Sequence, residues 1–172
     1  MVSTFLLSTA LVSLAQLFAM STAANLSART TTFAAVLAQQ KMEQLRGLTW
    51  GFDPLGLPYS DTSTDLSIWP DAPRGGTGLA PSPATALNQN SPGYVDYLDE
   101  YGRWVGTGAQ APDRTVYVRR WSIEPLPTNP NNTIILQVLV TRHRNRGSAD
   151  AGAVARLPNE TRLVSLKTRK SM

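Results

Sequence analysis

Residues 2–20 read VSTFLLSTALVSLAQLFAM, residues 21–29 read STAANLSAR, and residues 30–48 read TTTFAAVLAQQKMEQLRGL. No glycine or proline occurs before Gly47, and no charged side chain before Arg29. With the usual helix breakers missing, the whole stretch is predicted to form one continuous helix. Its front half is apolar: Phe5, Leu6, Leu7, Leu11, Val12, Leu14, Leu17 and Phe18 are interrupted mainly by small hydroxyl residues, which can bond back to helix carbonyls. About 19 residues rising ~1.5 Å each cover roughly 28 Å, close to the ~30 Å hydrocarbon core of a bilayer. This part is expected to cross a membrane or to pack against similar helices.

The back half changes character without a break. Phe33, Val36, Leu37, Met42 and Leu45 recur at helical spacing, and Gln39, Gln40, Lys41, Glu43 and Arg46 are assigned to the opposite, wet side. Gly47 supplies the stop, Arg46 suits the negative end of the helix dipole, and Trp50, Gly51 and Pro54 mark the exit. A helix of about 45 residues would be some 65 to 70 Å long.

The rest of the 172-residue chain has room for one further domain. Residues 48–93 are rich in Gly, Pro, Ser, Thr, Asp and Asn and read as a long connecting loop that buries little. Residues 94–172 read as an antiparallel β head. YVDYLDEYGRWVG (94–106) forms a short hairpin turning at 99–102. TVYVRRWSIEPL (115–126) and TIILQVLVTRHR (133–144) form a second, with Ile134, Leu136, Val138 and Val140 on one face, and TRLVSLKTRK (161–170) is a last strand after a flexible 146–155. The fold class is therefore α+β: a sheet of three to five strands packed on the back half of the helix, with Phe33, Leu37 and Leu45 meeting the apolar face of 134–140.

Charge and composition exclude several functions. The absence of cysteine removes disulfides and thiolate metal sites. The net charge of +4 and pI near 9.8 reflect arginines and lysines spread over the last third (Arg114, Arg119, Arg120, Arg142, Arg144, Arg146, Arg156, Arg162, Lys167, Arg169 and Lys170). They read as solvated faces and not as a nucleic-acid groove. His143, the one histidine, follows a strand and has no nucleophile to serve. Asp53, Asp61, Asp65 and Asp71 carry oxygens suited to Ca²⁺ but lack EF-hand spacing and read as turn formers. The glycosylation sequons at Asn25, Asn131 and Asn159 are short enough to arise by chance. Trp50, Tyr59, Trp69, Tyr94, Tyr97, Tyr101 and Trp104 flank loops and are expected to pack them onto the sheet. No catalytic, metal or cofactor site is predicted.

AAVLAQQKMEQLRGL (34–48), with its Gln-Lys-hydrophobic-Glu-x-Leu-Arg run from Gln40 to Arg46, resembles the end of the long N-terminal helix of type IV pilins and pseudopilins, especially minor pilins of the PilV type and minor pseudopilins of type II secretion. The strand around Arg120, Trp121, Ser122 and Ile123, residues 134–140, and the last strand at 162–168 resemble the heads of the same proteins. The resemblance implies a non-enzymatic structural subunit, anchored by a single pass in the bacterial inner membrane and then extracted into a pilus or pseudopilus. The head would lie in the periplasm or outside the cell. Its partners would be other pilin or pseudopilin subunits, the inner-membrane assembly platform and, at maturation, prepilin peptidase.

One family feature is missing. Leaders of this family end in Gly before a Phe-x-x-x-Glu mature start, whereas the first acidic residue here is Glu43. Relatives commonly continue from that Glu as Val-Met-Val, and this chain begins Met1, Val2, Ser3. The expectation is that Met1 is internal and that the in-frame codons upstream encode the leader and the Glu. The alternative is a secreted or membrane-anchored binding domain whose N-terminus resembles a signal peptide, cut after Ser21-Thr22-Ala23, with the 51–92 loop as its binding surface.

Overall fold

A computed structural model describes residues 2–63, 76–143 and 160–169, with side chains from Leu7 onward. The helix α1 runs from Val2–Gly47 without a break. It is followed by β1 (Trp50–Phe52), β2 (Pro58–Ser60), β3 (Val95–Leu98), β4 (Trp104–Gly106), β5 (Tyr117–Pro125), β6 (Thr133–Arg142) and β7 (Thr161–Thr168). The chain is thus α+β, one long helix and a separate antiparallel sheet.

The main sheet has five strands in the order β4-β3-β5-β6-β7, all antiparallel. Register sets which side chains meet the helix. Trp121 pairs with Val138, Ile123 with Leu136 and Pro125 with Ile134, while Val138 and Leu136 are opposite Leu163 and Ser165. Because side chains alternate along a strand, the odd positions of β5 and even positions of β6 share one face, which is mainly apolar but includes Arg119. The buried helix residues Ala34, Leu37, Ala38, Met42 and Leu45 share a core with Trp121, Ile123, Ile134, Leu136, Val138 and Val140. Phe33 packs against that core at its edge, its ring 5.5 Å from that of Tyr117. Replacing Val138, which is fully buried, by Ala should lower the unfolding free energy by about 1 to 3 kcal/mol through lost burial and a residual cavity. A urea titration followed by tryptophan fluorescence measures it.

Two assignments on the helix change. Val36, expected among the core positions, is 57% exposed. Lys41, expected on the wet side, is 3% exposed. The buried stripe follows 34, 37, 38, 41, 42 and 45, so position 41 belongs to it by geometry whatever its charge.

The connecting region is also more ordered than its composition suggests. β1 and β2 pair as a separate two-stranded sheet. Its turn is held by Asp53, whose Oδ1 accepts from the backbone N–H of Leu55 (2.9 Å) and Leu57 (2.8 Å). The β3–β4 turn repeats the device: Asp99 Oδ1 accepts from Tyr101 (2.9 Å) and Arg103 (2.8 Å). In each turn the fourth residue is glycine at φ 76°, Gly56 and Gly102, a conformation that favours glycine. At Gly102 a side chain would also crowd the helix, since a Cβ would come within 2.7 Å of Leu37 Cδ2, which would have to shift.

Beyond the start of β3, the connector takes over the free edge of β5. The Ser82 N–H donates to the Ile123 carbonyl (2.9 Å), and the Ile123 N–H donates to Ser82 Oγ (3.0 Å). Leu79 and Ala86 of the same segment enter the core. A region read as burying little therefore closes one end of the head.

Candidate membrane and assembly helix and its anchorage

The front of α1 stands clear of the sheet. Every described side chain from position 7 to position 29 is exposed, and Leu7, Leu11, Val12, Leu14, Leu17 and Phe18 each leave 51–67% of their surface uncovered. Phe5 and Leu6 belong to the same helix by backbone, and their side chains lie outside the described residues. Among the described residues α1 is the one helix long and apolar enough to cross a membrane, and a signal sequence near an N-terminus has the same character. Several of its hydroxyls are satisfied locally. Ser13 Oγ donates to the Thr9 carbonyl (2.9 Å), Thr22 Oγ1 to the Phe18 carbonyl (2.9 Å) and Thr32 Oγ1 to the Ala28 carbonyl (2.9 Å). Such back-bonding lets hydroxyls enter a low-dielectric surrounding without an orphaned donor.

The back half is joined to the head by charge as well as by apolar packing. Lys41 on α1, Asp96 on β3 and Arg119 on β5 form a buried cluster: Asp96 Oδ2 is 2.9 Å from Lys41 Nζ and 2.8 Å from Arg119 Nη2, with all three side chains at most 8% exposed. Arg119 Nη1 also donates to the Leu37 carbonyl (3.2 Å), and Lys41 Nζ lies 4.0 Å from the centroid of the Trp121 ring. Burial pushes the Asp96 carboxyl up, but the Lys41 and Arg119 charges and their hydrogen bonds outweigh it and hold its pKa below the ordinary aspartate value. Arg119 was expected on a solvated face, and the structure corrects that: it is core. At the end of the helix, the Lys167 ammonium of β7 donates to the Arg46 carbonyl, one of the carbonyls that a helix leaves unpaired.

Arg169 ties the β1–β2 hairpin to the end of β7. Its Nε donates to the Asn131 carbonyl (2.9 Å), its Nη1 to those of Gly51 (2.8 Å) and Tyr59 (3.2 Å), and its guanidinium carbon lies 3.6 Å from the Trp50 ring centroid. Charged hydrogen bonds and cation–π contact each stabilise by roughly 0.5 to 3 kcal/mol. Arg169→Gln should therefore speed amide exchange across residues 50–60 about tenfold or more without shifting exchange in β5 and β6. Exchange rates equal to those of the parent would show that packing alone holds the hairpin.

The other expected features have simpler places. Tyr94 and Tyr97 are buried, with hydroxyls donating to the Pro81 (2.9 Å) and Gly108 (2.7 Å) carbonyls, whereas Tyr59 and Tyr101 stay largely exposed. Asp53 and Asp61 each accept from backbone N–H groups, and no group of three or more His, Asp or Glu gathers among the described residues. His143 follows β6 and its N–H donates to the Val116 carbonyl (2.7 Å). Asp65, Trp69, Asp71, Arg144, Arg146, Arg156, Asn159, Lys170 and the 146–155 segment lie outside the described residues.

Sequence reasoning missed the Asp96 and Arg119 pair and its contact with Lys41. The one available signal was spacing: Lys41 falls four residues after Leu37 and four before Leu45. Comparisons of the chain with protein-family models, with curated proteins and with solved structures give no match in any of the three.

Proposed function

We propose that this chain is a structural subunit of pilin type, a minor pilin of a type IV pilus or a pseudopilin of type II secretion. The observation that carries the reading is one uninterrupted helix with two halves of different use. The uncharged front half is exposed around its whole circumference, and the back half is locked into an antiparallel head. A lone soluble domain gains nothing from some 30 Å of greasy helix in water. A subunit that rests in lipid and is then drawn into a bundle of like helices exchanges one apolar surrounding for another at small net cost. Phe5, Leu6, Leu7, Leu11, Val12, Leu14, Leu17 and Phe18 would make those contacts. The head would remain in the periplasm or outside the cell, and the subunit would have no catalytic role.

Fractionation of producing bacteria, with mass spectrometry of the mature N-terminus, tests the proposal. The expected result is a protein that retains its whole apolar helix and partitions between inner membrane and sheared surface fibres. A soluble product beginning at or near Ala24 would refute it and support an exported binding domain instead.

A further inference from the structure

We infer that the buried Lys41–Asp96–Arg119 cluster is a register lock, fixing how far the helix has slid along the sheet and hence where the head sits on its stalk. This holds whether the front half enters a membrane, a fibre or neither, so it stands apart from the functional proposal.

The argument begins with what the apolar contact alone specifies. The apolar buried stripe of α1 consists of Ala34, Leu37, Ala38, Met42 and Leu45, and it shares a core with Ile123, Ile134, Leu136, Val138 and Val140 and with the ring of Trp121. A slide of one helical turn toward Gly47 puts Phe33 in the seat of Leu37, Ala34 in that of Ala38 and Leu37 in that of Lys41. The slide also puts Thr30 in the seat of Ala34 and Ala38 in that of Met42, a hydroxyl and a cavity that disfavour it, while the other exchanges keep the volume roughly constant, which cores tolerate at modest cost. Apolar packing therefore separates the two registers only in part.

The charged cluster separates them strongly. Sliding the helix would carry Lys41 into the seat of Leu45, leaving its ammonium buried away from the carboxylate and Asp96 with Arg119 as its one remaining partner in the cluster. Arg119 adds a second grip one turn earlier, because the Leu37 carbonyl that it binds is the one the helix ladder pairs with the Lys41 N–H. One turn of the helix is thus held by its side chain and its backbone together. Buried ion pairs contribute little net stability compared with apolar residues of similar volume, and selecting one register is their best attested use.

The test uses the full chain in nonionic detergent micelles. The chain has no cysteine, so cysteines introduced for spin labels at exposed Leu26 on the stalk and exposed Tyr101 on the β3–β4 turn are the only reactive thiols. The parent should give one narrow distance distribution. In the apolar triple variant Lys41→Met, Asp96→Leu, Arg119→Met, a second population displaced by about 6 Å, one turn of rise, should appear while the urea unfolding transition remains cooperative. The double variant Lys41→Met, Asp96→Asn keeps Arg119 available to the Leu37 carbonyl and is the second case, expected to show a smaller share of the same population. A single parental distance in either folded variant would overturn the inference. So would failure of both to fold, which would make the cluster a source of stability and not of register.

Discussion

Asp96→Asn should lower the unfolding free energy of the head by about 3 to 5 kcal/mol, the largest loss expected from any single substitution here. The amide keeps the shape of the side chain but leaves Lys41 and Arg119 facing each other in a site where neither can be hydrated, and breaking a buried pair on one side costs about this much. Urea unfolding of the full chain in nonionic detergent, followed through buried Trp121, reads the change. An unchanged midpoint would mean that water reaches the cluster.

The same carboxylate makes stability depend on pH in a definite direction. Its pKa in the folded head is depressed by two neighbouring cations, so the unfolded chain takes up the proton more readily. The contribution is complete above the unfolded aspartate value, about 3.9, and is lost as pH falls through the lower folded value. The parent should therefore lose stability on acidification through this limb, and Asp96→Asn should lack it. Equal acid sensitivity in both proteins would assign the effect to other carboxylates.

What could be read from the sequence depended on whether the deciding interaction was local. The helix needed only the absence of Gly and Pro up to Gly47 and the stop there, so its bounds were legible. Alternation of Ile134, Leu136, Val138 and Val140 marked β6, whereas β5, buried along both faces over most of Tyr117–Ile123, was placed by its β-branched and aromatic residues and its pairing with β6. The Asp-x-x-Gly turn at 99–102 was recognised, yet the identical device at 53–56 was passed over, since the strands beside it are only three residues long and include Pro58. Burial of Leu79 and Ala86 depended on Ser82 meeting Ile123 across 41 positions, and nothing local announces that. Lys41 and Arg119 were read as wet for the same reason, and nothing local singled out Asp96. Each is costly to bury alone, and only the sheet order, which sets Asp96 on β3 opposite Arg119 on β5 within reach of the Lys41 side chain, supplies the partners.

A single acidic substitution at Leu11 should largely release the chain from the membrane if the front half spans it. Aspartate at the centre of a spanning helix costs about 2.5 to 3.5 kcal/mol and the leucine it replaces contributes a few tenths more, so Leu11→Asp shifts the partition by roughly a hundredfold or more, and Leu11→Asp with Leu14→Asp should abolish it. Alkaline carbonate extraction of membranes gives the retained fraction. The head should not notice, because positions 7 to 29 are exposed and touch none of its core, and the urea midpoint of either variant should match the parent. Val164→Asp is the necessary control: Val164 on β7 is 60% exposed and Leu11 59%, so exposure of an apolar side chain does not distinguish them. Only position on the helix does. If Val164→Asp released the chain as effectively as Leu11→Asp, the contact with the membrane would run through the outer face of the sheet, and the helix would have to be reassigned to another partner.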